Sequence, residues 1–89
     1  MTAASYEVEF RWEEEIVYWE GTAGCIFPGA WGGEVLLTIV PDEATWDLVV
    51  PQWMAGRREE IVQRLMGDSG HQVRAEPAAH GLLEVIERS

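Results

Sequence analysis

Few side chains in this sequence carry reactive chemistry: one cysteine, Cys25, and two histidines, His71 and His80. A thiol beside an imidazole would make a nucleophile and its base, and the same three residues could ligate a metal. The spacing supports neither. No C-x2-C or H-x3-H pair occurs, and Cys25 lies in a short apolar stretch where a cysteine packs as a small hydrophobe. Glu13, Glu14 and Glu15 lack the alternation and the glycine of a calcium loop, and read as a solvated acidic face. The glycines between Pro28 and Gly33 come without a phosphate-binding lysine or a following helix, and no G-x-G-x-x-G is present. The sequence therefore assigns no catalytic residue, no metal ligand and no cofactor, and the protein is expected to be no enzyme.

Binding is the chemistry that remains. Trp31 sits in Pro-Gly-Ala-Trp-Gly-Gly, a stretch that offers a large aromatic ring little to pack on, so it is a candidate partner contact. Glu13, Glu14 and Glu15 are candidate contacts for a basic partner. Arg58 is the physically odd residue. On a helical wheel it falls among Met54, Ile61, Val62 and Leu65, and an arginine cannot escape burial by losing its proton. The reading pairs it with Asp47 or with backbone carbonyls of the preceding segment; the alternatives are a stem laid on the stripe with the guanidinium at the rim, and an anion pocket walled by Trp31 or Trp46.

Charge narrows the partners. Sixteen acids stand against six basic residues, a formal net charge of −10. Residues 1–50 hold ten acids and one arginine (−10 + 1 = −9), and residues 51–89 hold six acids and five arginines (−6 + 5 = −1). That balance argues against duplex DNA and anionic membranes, since phosphates attract the opposite sign. The single cysteine forms no internal disulfide. The first ten residues show neither a basic nor an apolar signal region, and no apolar run approaches a membrane span. A cytoplasmic monomer or weak dimer is expected. Lysine and asparagine, which both have A-rich codons, are absent, as in a GC-rich, bacterial genome.

The elements that must position these residues fit within one domain over residues 1–89. Tyr6, Val8, Phe10 and Trp12 alternate with Glu7, Glu9 and Arg11, the pattern of a half-buried strand. The β-branched and aromatic run Ile16–Glu20 reads as a second strand, with the three glutamates as the turn between; a helix starting at the glutamates is the rival. Gly21–Gly24 reads as a hairpin loop, Cys25–Phe27 as a short strand and Pro28–Gly33 as a loop. Val35–Val40 is apolar enough for a strand buried on both faces. Asp42 caps a short helix to Val50, and Pro51 opens a second one to Met66 with Gly67 ending it. Glu60 and Arg64 form a favourable i,i+4 pair on that helix. His71–Ala75 reads as an edge strand and Leu82–Arg88 as a strand with a helical alternative. The fold class is α+β: a mainly antiparallel sheet of about four to six strands, with helices at about 42–50 and 51–66 on one face. The functional expectation is a small acidic, non-catalytic interaction module of the immunity or inhibitor type, binding a basic protein. A ligand- or anion-binding or enzymatic domain using a pocket near Arg58 and Trp31 is the alternative.

Overall fold

A computed structural model describes residues 5–11, 14–33, 35–69, 72–78 and 81–88. Trp12, Glu13, His71 and His80 lie outside that set. The chain runs β1 (Tyr6–Arg11), β2 (Glu15–Glu20), β3 (Ala23–Gly32), β4 (Val35–Pro41), α1 (Glu43–Val49), a 3-10 turn (Gln52–Met54), α2 (Arg58–Ser69), β5 (Gln72–Glu76) and β6 (Val85–Glu87). The sheet has six strands in the order β1-β2-β3-β4-β5, with β6 also paired to β3. The α+β architecture read from the sequence is the one found. The β4–β5 pair is parallel, because the chain between those strands crosses the sheet through both helices.

Alternation sorts the strands onto two faces. Ile16, Tyr18, Cys25, Phe27 and Val40 share one face and form a single core with Trp46 and Val49 of α1, Val50 just after it, Met54, and Ile61 and Leu65 of α2. Trp46 and Phe27 stack at 6.0 Å between ring centroids, and Tyr18 and Trp53 at 6.2 Å. The opposite face carries Glu7, Glu9 and Arg11 of β1. It also buries Trp19, whose ring lies where a side chain at Gly24 would stand, 2.8 Å from the ideal Cβ position. Trp19 gives its indole N–H to Glu9 Oε1 at 2.8 Å and is covered by the Arg88 guanidinium at 4.4 Å.

Three expectations need correction. The stretch from Pro51 to Met66 is not one helix. Asp47 accepts the Gly56 N–H at 2.8 Å, and Gly56 adopts φ +74, a left-handed conformation that a glycine takes without strain and that ends a helical run. The true α2 starts at Arg58 and passes through Gly67 to Ser69. Pro28–Gly33 is not a loop, because β3 continues through it to Gly32, where a tight turn with Gly33 at φ +71 leads into β4. Finally, β4 is closed on its helix side, where Thr38 and Val40 are buried, but Leu37 and Ile39 on its other side are only half-buried. Asp42 behaves as read, accepting the Thr45 N–H at 3.0 Å as the cap of α1.

Candidate functional site

The fold gathers charged side chains in two places of opposite character. The first is a balanced clasp. Tyr18 and Glu20 alternate onto the helix face of β2, Arg57 stands just before α2, and Arg64 hangs from its middle. Glu20 takes two parallel bonds from Arg57, at 3.1 and 2.7 Å, and a third from Arg64 at 3.2 Å. Glu60 receives Arg57 at 3.0 Å and Arg64 at 2.8 Å, the second being the i,i+4 pair read from the sequence. Arg64 also donates to Tyr18 Oη at 2.8 Å and lies over the Tyr6 ring at 4.6 Å. Burial pushes the Glu20 carboxyl upward, but the hydrogen bonds from Arg57 and Tyr18, with the charges of Arg57 and Arg64, outweigh it and hold the carboxyl below its usual range. Burial and the Glu20 hydrogen bond push Tyr18 up to about 12. Two carboxylates and two guanidiniums cancel, so the clasp ties α2 to β2 and leaves no charge for a ligand.

The second place is a cleft with an acidic edge. β3 has β2 along one side for most of its length. Its other side is shared: residues 23–25 pair with β6, and residues 29–32 pair with β4. Between those pairings β4 leaves β3 to join β5, and the fork opens a cleft of about 650 Å³. Ile26 and Pro28 of β3, Ile39 of β4, Pro77 and Leu82 supply apolar wall, while Glu14, Glu15, Glu76 and Glu84 stand along it. The one arginine there, Arg74, is held by Glu76 at 2.8 Å.

Backbone tethers fix the walls. Ala78 N–H donates to Thr45 Oγ1 at 3.1 Å, Leu83 N–H to Val49 O at 2.9 Å, and Ile26 N–H to Glu84 O at 2.9 Å. Glu14 is held most tightly of all. Its carbonyl accepts the Gly29 N–H at 2.6 Å while its own φ is +61, a region a glutamate rarely occupies. A Cβ at Gly29 would stand 2.8 Å from that carbonyl and 2.7 Å from Ile16 Cδ1. The glycine that looked like loop in the sequence is there to let the acidic turn close onto the strand.

The residues singled out from sequence do not form one site. Glu14 and Glu15 border the cleft. Trp31 is exposed at 60% but lies toward the β3–β4 turn and not on the cleft wall. Arg58 gives its Nε–H to Pro41 O at 2.9 Å, at the far end of β4. Trp31 pairs with Leu36, so five residues of strand, about 16 Å, separate the two; one pocket does not hold both. Asp47 does not pair with Arg58, because its carboxylate is taken by Gly56. Cys25 is fully buried, and burial pushes its thiol up to about 12, which keeps it protonated and unreactive at neutral pH. Among the described residues no three of His, Cys, Asp and Glu come together as metal ligands, and no helix is long and apolar enough to cross a membrane.

Sequence reading missed Glu84, Arg74 and Pro77, since nothing in their spacing joins them to the lining residues far earlier in the chain. The clasp was half visible: Arg57, Glu60 and Arg64 share one helix edge, and Tyr18 and Glu20 share one strand face. No known protein family, no curated protein and no solved structure matches this chain.

Proposed function

We propose that this protein is a small acidic interaction module that binds a basic protein partner and performs no catalysis, in the manner of an immunity or inhibitor protein. One observation carries the reading. Each of the six arginines is committed to a partner inside the protein. Among the described residues, Glu14, Glu15, Glu43, Glu59, Glu84 and Glu87 have no ion pair. The fold therefore uses its positive charge internally and leaves acids outside, at the cost of self-repulsion in the compact state. Such a surface favours encounter with a positive one.

Immobilised protein should capture its partner from a lysate in low salt and release it in high salt. Neutralising Glu13, Glu14 and Glu15 together should then slow association with the purified partner, most strongly at low ionic strength, and leave dissociation nearly unchanged. Capture that ignores salt, with association rates unmoved by removal of any surface acid, would reject the reading.

A further inference from the structure

From the fork between β3 and β4 we infer that the cleft is a receptor for one arginine or lysine side chain projected by the partner. This rests on the reading above and adds the place and the chemistry of contact. The cleft has two parts, an apolar wall and an acidic edge, and a basic side chain has the matching two: a methylene stem and a cationic head. Ile26, Pro28 and Ile39 would pack on the stem. Glu14, Glu15 and Glu84 would face the head.

Charge excludes the obvious rivals. Four carboxylates against Arg74 give −4 + 1 = −3 along the lining, and Arg74 is already engaged by Glu76 at 2.8 Å. A phosphate or carboxylate ligand meets repulsion there. A neutral apolar ligand would use the wall but would have to strip water from carboxylates without replacing it. The volume, about 650 Å³, lies in the range of pockets that bury small organic groups, ample for one long side chain.

The site is also built before binding. It lies where two strands part, and among the described residues its walls are tied to α1 at Thr45 and Val49 and to β3 at Ile26. A receptor that does not reorganise loses less ordering entropy on binding.

The test uses N-acetyl-arginine methylamide as probe, with the citrulline analogue as its neutral isostere and the norleucine analogue as a bare stem. Titration into the 15N- and methyl-labelled protein should shift the Ile26 and Ile39 methyls and the Gly29, Leu83 and Glu84 amides. The arginine probe should bind at least about fivefold more tightly than citrulline, as for one partly exposed charged contact. Glu15→Gln with Glu84→Gln should remove that preference, while Glu43→Gln with Glu59→Gln should leave it. Equal response to all three probes, or arginine shifts confined to residues outside the cleft, would overturn the inference. The two readings fail separately. If the purified partner binds in a salt-dependent way but loses as much from the Glu43 and Glu59 pair as from the Glu15 and Glu84 pair, the interaction module stands and the cleft receptor falls.

Discussion

Glu14 is strained where it could have been relaxed. A left-handed φ on a glutamate costs on the order of 1 kcal/mol, and an asparagine tolerates the same backbone far better. Its neighbours enforce the strain through the Gly29 hydrogen bond at 2.6 Å. Glu14→Asn should therefore keep the turn and leave stability unchanged or up to about 1 kcal/mol higher, measured by urea unfolding. On the proposed function, the same variant should associate more slowly with a basic partner, since it removes one charge at the cleft edge. A variant both stabler and slower would locate the reason for the strain in binding. A variant that is less stable would mean that the Glu14 side chain supports the fold, which no contact of that side chain among the described residues suggests. Arg58 teaches a related lesson in legibility. The helical period announced an arginine in an apolar stripe, and it is half-buried with its Nε on a carbonyl. What sequence did not reveal was which oxygen: Pro41 is seventeen residues away and becomes a neighbour only because α1 doubles back.

At the scale of elements, the strands and both helices were readable, but the point where the second helix starts was not. Alternation in β1, the aromatic run of β2 and the apolar run of β4 each follow from local chemistry. The break at Ala55 and Gly56 depends on a carboxylate nine residues earlier, so a local wheel drew one helix through it. The extension of β3 depends likewise on β4, which pairs with residues that look like loop when read alone. The clasp now gives α2 a measurable dependence on pH. The Arg57 and Tyr18 hydrogen bonds and the two guanidinium charges outweigh burial and hold the Glu20 carboxyl below its ordinary carboxylate range. A depressed carboxyl contributes stability that is fully present above its unfolded value, declines as pH falls from there, and is gone below the folded value. The chain should thus lose stability on acidification from about pH 4.5 downward. Glu20→Gln should cost about 2 kcal/mol at pH 7, the scale of charge-assisted hydrogen bonds, and should flatten that part of the pH profile. A profile with the same slope in the variant would place the acid sensitivity in other carboxylates.

At the scale of the whole molecule, attraction and repulsion act over different distances, and salt separates them. The body measures 40 × 25 × 22 Å and carries a formal charge of −10. The Debye length is about 30 Å at 0.01 M salt and about 8 Å at 0.15 M. In dilute buffer each acid therefore senses most of the others, while at physiological salt it senses only its neighbours. The arginine pairs span 2.7–3.6 Å, far inside either screening length, and those of the clasp are partly shielded from water. Added salt should remove repulsion faster than it removes attraction, and the melting temperature should rise by about 3 °C between those two concentrations. Sodium chloride is the right salt, because sulfate also acts by exclusion from the surface. Partner association should move the other way over the same range, slowing as the long-range field collapses. Stability that rises while association falls is the behaviour of a fold carrying surplus charge for use outside itself. A melting temperature that drops in sodium chloride would show instead that the ion pairs dominate, and the surplus acids would no longer need a partner to account for them.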